Sequence, residues 1–391
     1  MKNKIRVLHI ITDLPIGGAQ DNTLYTLELL DREKYEVAFA CNMTGEYRDR
    51  ALQIPDCKIY DIPTLQRDVN ILNDWKALFE LTKLIRNEKF DIVHTHSTKP
   101  GVIGRIASFL AGTPIVIHTV HGFPFHDFMN WLKRNIYITI EKIMNIKTTH
   151  LITVSTLNLK KIVDLEMAKA EKITNIYSGI DVDRFSSSRK KDLHKELNLP
   201  ADTILVGFIG RFSEQKSPFT FLEAIVQVVK EVKNSHFIFV GDGPLREEML
   251  SFVKAHQIEQ HISLLGYRHD VNEILHGLDL FALSSIYEGL GRSITEALCC
   301  KIPVVATAVE GVPELVIHKK TGLLVEARNV DQFAEAMLYA LNHPDEMKEM
   351  AETGYLFVKQ NFQVSDMVNS IDELYTQLCL DAATRLHVHS K

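Results

Sequence analysis

What the chain lacks narrows its class first. Its five cysteines (Cys41, Cys57, Cys299, Cys300 and Cys379) make an odd count with no CxxC pair. That argues against a disulfide frame or a zinc site and fits buried thiols in a reducing compartment. No GxGxxG is present: the nearest runs are "VGDG" at 240–243 and "GLG" at 289–291, so a nicotinamide-dinucleotide site is unsupported. No apolar run approaches the roughly 20 residues that span a bilayer. The start, "MKNKIRVLHIITDLP", has basic residues and a short apolar run but no small-residue cleavage site; it reads as a first strand, not a signal peptide. Low-complexity tracts and short repeats are missing as well. Nor is there a positive surplus. The net charge of −6 argues against a nucleic-acid binder, and the reading is of a cytoplasmic protein.

What is present suits two domains, because 391 residues exceed one ordinary core. Short β-branched runs alternate with amphipathic segments. Candidate strands lie at 5–11, 35–41, 91–96, 114–120 and 150–155, with helical stretches such as 19–31, 73–88 and 99–111 between them. This spacing means βαβ units and a parallel sheet covered on both faces. A polar, serine-rich, basic connector, "YSGIDVDRFSSSRKKD", follows at 177–192. The pattern then restarts with runs at 204–210, 236–243, 261–267, 279–285 and 302–307. The expected organisation is therefore α/β, with two doubly wound Rossmann-like domains. The first covers 1–178, a linker 179–194, the second 195–365, and a closing helix and tail 366–391. Ligands of such sheets bind at the carboxyl ends of the strands, so a cleft between the domains is the expected active site.

Three loops carry chemistry. "TDLPIGGAQDN" (12–22) joins a strand to a helix through Gly17 and Gly18, where absent side chains and helix N–H groups would admit an anion. In "GFIGRFSEQKSPFTFLEA" (207–224), Arg211 and Lys216 fall in a strand-to-helix loop at the sheet's carboxyl edge, with Pro218 marking the helix start. In "LSSIYEGLGRSITEALCCKIPVVA" (283–306), Glu288 sits in the turn and Glu296 one to two turns into the next helix. The intervening glycines and helix start form an anion cradle. Carboxylates cannot hold phosphate, but they accept hydrogen bonds from sugar hydroxyls on either side of one. A ribose–diphosphate–sugar ligand has that order, with Arg211 and Lys216 neutralising its charge.

Glu288 and Glu296 form the E-x7-E motif that resembles retaining glycosyltransferases of the GT-B fold, family 4 type. "GRFSEQK", "VGDGP", "EGLGRSITEAL", "GVPEL", "TGLLV", "GGAQ" and "YSGIDVDRF" are similar to that family in order and spacing over nearly the whole chain. "HTHSTKPGVIGRIA" and "HTVHGFPFH" look most like its bacterial capsule and exopolysaccharide transferases. The resemblance implies that Glu296 binds the nucleotide ribose and Glu288 the donor-sugar hydroxyls. Gly17, Gly18, Arg211 and Lys216 would hold the diphosphate, helped by Gly289, Leu290, Gly291, Arg292 and Ser293. It also implies that His121 meets the donor sugar and that the backbone at Tyr267 and Arg268 meets the base. His121, Glu288, Arg211 and Lys216 are thus the implied catalytic set. Two departures stand out: Ser217 replaces the glycine that usually follows the loop lysine, and Gly291-Arg292 replaces a more usual proline or other residue.

The implied reaction is sugar transfer from a nucleoside diphosphate sugar, with uridine as the base, to a lipid-linked saccharide in surface-polysaccharide assembly. It proceeds with retention and without cofactor or metal. "DVD" (181–183) resembles the metal-binding DxD of the other glycosyltransferase fold, but it lies in a connector. His94 and His96 share a strand face as zinc ligands could, yet no third ligand stands beside them in sequence; with Lys99 and Phe123 they read as an acceptor-facing strand end. The aromatic and basic segment 123–147 suits a membrane interface, and so does the basic bias of residues 1–180. These hold 23 Lys+Arg against 20 Asp+Glu, the rest 21 against 30. That places a peripheral contact at the inner face of the plasma membrane. The alternatives are a UDP-sugar 2-epimerase of the same architecture and a non-catalytic nucleotide-sugar-binding subunit.

Overall fold

A computed structural model describes residues 4–126 and 128–389. Contacts divide the chain into two compact units, one formed by the residues up to Gly179 with those from Val364 onward, the other by Ile180–Gln363. Among the described residues the first unit holds seven strands: β1 (Ile5–Ile10), β2 (Tyr35–Cys41), β3 (Cys57–Asp61), β4 (Ile92–His96), β5 (Ile115–Val120), β6 (His150–Thr153) and β7 (Ile173–Asn175). They pair in parallel in the order β3-β2-β1-β4-β5-β6-β7. The second unit's strands are β8 (Ile204–Ile209), β9 (Ser235–Val240), β10 (Ile262–Gly266), β11 (Leu280–Leu283), β12 (Val304–Thr307) and β13 (Leu323–Val325), ordered β10-β9-β8-β11-β12-β13. Each sheet reverses its order beside its first strand, between β1 and β4 and between β8 and β11. This is the switch point where doubly wound sheets take ligands.

Alternation along the strands builds the layers of the first unit. Val7, Val37, Phe39, Ile92 and Ile117 face one side with Leu24 and Leu27, while Leu8, Ala38, Ala40 and Val93 face the other with Leu81 and Ile85. Successive side chains of a strand point to opposite faces, so one parity serves each layer. The C-terminal helix Val364–His389 belongs to the first of these layers. Its Met367, Val368, Ile371 and Tyr375 are buried there, and Asp372 accepts from Lys34 Nζ at 2.7 Å and from the Tyr35 hydroxyl at 2.5 Å. The expected closing helix is thus a structural piece of the first unit.

The expected linker 179–194 does not stand apart. Its residues from Ile180 form two short helices, Val182–Ser186 and Leu193–Glu196, grouped with the second unit. Phe185 and Leu193, apolar residues in an otherwise polar run, are buried, and the Cys300 thiol reaches the Phe185 carbonyl at 3.6 Å. Asp181, the first acid of "DVD", caps the first of these helices by accepting from Arg184 N at 3.0 Å.

Candidate functional site

In the second unit the loops after β8 and β11 meet at the switch point. Lys216 lies in the short 3-10 turn Glu214–Lys216 after β8, and its Nζ pairs with Glu288 Oε1. The Ser285 hydroxyl donates to the same oxygen at 2.7 Å. Glu288, 6% exposed, is therefore fixed by a cation and a hydroxyl, and its own N–H donates to Glu310 Oε2 at 3.2 Å. The two loops are tied further: Ile286 N donates to Gln215 O at 2.8 Å, and Gln215 Nε2 donates to Tyr287 O at 3.2 Å. The Ser284 hydroxyl reaches Ser217 O at 2.8 Å. Arg211 is exposed, and its side chain makes no ion pair or hydrogen bond among the described residues.

The helix Arg292–Cys299 starts after Gly291, whose φ of +105° favours glycine and is closed to proline, which holds φ near −65°. Glu296 accepts from Arg292 Nε at 3.0 Å, one turn apart on the helix. The Ser293 hydroxyl is buried with no hydrogen-bond partner among the described residues, at the helix start that was expected to face an anion. Ser217, which stands where the resembling family has glycine, takes φ +46° and ψ 54°. That left-handed conformation costs an L-residue about 1–2 kcal/mol, and a 2.9 Å contact from the Ser217 hydroxyl to Thr220 Oγ1 offsets part of it. Around the expected base contact, Tyr267 is exposed. The Arg268 side chain is held by Asp270 at 2.8 and 2.7 Å and by Glu196 at 2.7 Å, which leaves only its backbone for a ligand. Asp270 and Glu196 are held below the usual carboxylate range chiefly by their hydrogen bonds from Arg268.

The first unit departs more from expectation. Gly17 caps the helix Gly18–Leu29 in an extended conformation, φ −178°, that any residue adopts. His94, expected at an acceptor, is fully buried. Its Nδ1 lies 2.5 Å from the Tyr375 hydroxyl and its Nε2 2.7 Å from Thr119 Oγ1, so it cannot reach one. Lys99 is likewise committed, pairing with Asp74 Oδ1 at 2.6 Å and bonding Asp68 O. Phe123 is buried in a core with Phe125, Ile138 and Ile162. His121 borders a small open hollow shared with Ser97, Thr119, Gly122 and Glu141, and burial pushes its pKa down to about 3.

Sequence reasoning missed the third histidine. His9 of β1 pairs in register with His94 of β4, on the parity that faces the C-terminal helix. The ligand atoms of His9, His94 and His96 lie within 4.8 Å of one another. A strand 85 residues away leaves no local signal; only the sheet order brings it there.

The helix Trp131–Lys147 has an unusual polarity. Its inward side carries Glu141 and Asn145, which accept from the fully buried Arg105 at 2.8 and 2.9 Å. Trp131, Leu132, Ile136, Ile143 and Ile146 point outward, Trp131 at 73% exposure. No helix among the described residues is long and apolar enough to cross a membrane.

Two doubly wound units, one with a cation–carboxylate pair at its switch point, define a GT-B type architecture. Residues 16–184 match the model described as Glycosyltransferase Family 4, and residues 189–357 match that described as Glycosyl transferases group 1. The chain is 30% identical over 387 residues to the UDP-Gal:alpha-D-GlcNAc-diphosphoundecaprenol alpha-1,3-galactosyltransferase of Escherichia coli, covering 97% of this chain and 98% of that one. It is 24% identical to the capsular polysaccharide biosynthesis glycosyltransferase CapM of Staphylococcus aureus, covering 96% and 97%. The crystal structure of Anabaena HepE in complex with UDP-glucose shares the fold, with a TM-score of 0.82 at 20% identity over 95% of this chain and 100% of that one. The chain belongs to the family 4 glycosyltransferases of GT-B fold.

Proposed function

We propose that the chain moves a sugar, a hexose or an N-acetylhexosamine, from its UDP conjugate to a lipid-linked saccharide, retaining the anomeric configuration and using no metal ion. The observation that carries this reading is the buried Lys216–Glu288 pair joining the loops after β8 and β11, beside a helix start where the buried Ser293 hydroxyl has no partner among the described residues. In this reading Glu296 takes the ribose hydroxyls and Glu288 those of the sugar. Lys216 and Arg211 carry the diphosphate charge with the backbone of Leu290 and Gly291, and the backbone at Tyr267 and Arg268 meets the uracil. In the first unit, Gly18 supplies a backbone N–H and His121 meets a sugar hydroxyl.

The step breaks the bond from the anomeric carbon to the diphosphate oxygen and forms one from the same face to the acceptor oxygen. The acceptor proton passes to the departing diphosphate. Catalysis then rests on stabilising the leaving charge and on positioning, with the two cations in place of a divalent ion. Lipid linkage is supported by the diphosphoundecaprenol-linked acceptor in the name of the Escherichia coli relative. It is supported too by the outward apolar face of the helix Trp131–Lys147 with Lys133, Lys142 and Lys147, which suits the anionic inner face of the plasma membrane.

The test is product analysis with a panel of UDP-sugars and a diphosphoundecaprenol-linked N-acetylglucosamine acceptor. The expected product carries one added sugar in α linkage, one UDP is released per transfer, and EDTA leaves the rate unchanged. A sugar altered at C2 without acceptor would make the chain an epimerase. Failure of every donor to turn over would leave a binding subunit.

A further inference from the structure

Six side chains of the first unit form one unbroken file of hydrogen bonds. His121 Nε2 lies 3.1 Å from His96 Nδ1, and His96 Nε2 lies 2.9 Å from His9 Nδ1. His9 Nε2 lies 3.2 Å from the Tyr375 hydroxyl, which lies 2.5 Å from His94 Nδ1; His94 Nε2 ends the file 2.7 Å from Thr119 Oγ1. His9 and His96 are tilted by only 13°, with ring centroids 5.1 Å apart, as two rings placed end to end must be when their facing nitrogens are 2.9 Å apart. The facing nitrogens, one protonated and one bare, therefore point at each other and not toward a common centre, which favours a hydrogen-bonded file over a metal site. Burial keeps these imidazoles neutral, with pKa values pushed down to about 3 for His9 and His121 and well below the usual value for His94 and His96.

A neutral imidazole has one N–H and one bare nitrogen, so each link dictates the next and the whole file must point one way. Tyr375 decides which. Its single proton can serve only one of its two neighbours, and 2.5 Å is a distance of O–H donors, whereas 3.2 Å suits an N–H donor. The phenol therefore donates to His94 and accepts from His9. It follows that His9 carries Nε2–H, His96 carries Nε2–H and His121 carries Nε2–H.

We infer that Tyr375, acting through His9 and His96, is a positioning residue that holds His121 as its Nε2–H tautomer. The Nδ1 lone pair of His121 is thereby left to accept a hydrogen bond from a hydroxyl of a ligand in the hollow. Nδ1 has no hydrogen bond among the described residues. That the ligand is a sugar rests on the proposed transfer; the tautomer does not.

The experiment is nitrogen NMR of the full chain labelled with 15N-histidine, His121 being assigned by the resonance lost in His121→Asn. The expected spectrum shows His121 with a bare Nδ1 and a protonated Nε2, unchanged between pH 6 and 8. Tyr375→Phe should mix the two tautomers. Thr119→Val, which removes the far acceptor, should drive His121 toward Nδ1–H and serves if the phenylalanine variant does not fold. In the transfer assay either variant should lower kcat several-fold with little change in the donor KM. A protonated Nδ1 in the wild type overturns the inference, as does a tautomer indifferent to both substitutions in natively melting protein, or a stoichiometric zinc ion in the purified chain. Absence of any transferase activity would overturn the proposed function and leave the tautomer result standing.

Discussion

Lys216→Ala is expected to slow sugar transfer by about 10²–10³-fold, the loss that follows removal of one preorganised group stabilising charge in a transition state. The substitution also strands Glu288, which is buried, with the Ser285 hydroxyl as its remaining side-chain partner among the described residues. Breaking a buried pair from one side costs about 3–5 kcal/mol, so a loss of rate alone does not establish a role in charge stabilisation. The double variant Lys216→Ala/Glu288→Gln, compared with Glu288→Gln alone, separates the two effects, because the neutral amide no longer needs the cation and the loss of the Glu288 carboxylate is common to both. If Lys216 acts on the diphosphate, the double variant regains melting temperature while its rate stays well below that of Glu288→Gln. A rate equal to that of Glu288→Gln would mean that Lys216 only neutralises Glu288.

Mild acid is expected to unfold the first unit before the second. His9, His94, His96 and His118 are buried, and burial lowers the pKa of each. The unfolded chain takes up their protons below about pH 6.5 while the folded unit does not, so the folded state loses stability as the pH falls from there. Four such groups remove about 5 kcal/mol per pH unit. Set against a domain stability of about 5–15 kcal/mol, this puts the transition of the first unit near pH 4–5. Hydrogen exchange followed by mass spectrometry along an acid series would resolve the units. The expected result is loss of protection in β1, β4 and β5 ahead of β8 and β11. Simultaneous loss, or a first unit stable to pH 3, would contradict the assigned neutral states.

Most strands could be read in the chain because central parallel strands are buried on both faces and written as continuous apolar runs, as in β2 and β9. The edge strands β3 and β13 and the short β7 were not foreseen: "CKIYD" and "ITN" are brief and only partly apolar, and pairing with a neighbour makes them strands. In the second unit the loops carrying Arg211, Lys216 and Glu288 were legible because strand, glycine and charge follow one another locally. The first unit's polar file was not. His9, Thr119 and Tyr375 come from three distant segments, and only strand register and the return of the C-terminal helix join them to His94 and His96. The same return explains why His94, placed at an acceptor from its position near a strand end, is buried. For Lys99 the reason is closer at hand: Asp74, on the helix Ile71–Glu88, takes up its charge.

The most direct measurement is calorimetric titration of UDP into the full chain, with and without EDTA, alongside Glu296→Ala. The account predicts one UDP per chain, the same affinity in both buffers, and binding at least about tenfold weaker in the variant, as the loss of a hydrogen bond to a charged group implies. Binding that disappears with EDTA, or that ignores the loss of Glu296, would contradict a metal-free uridine diphosphate site built on Glu296.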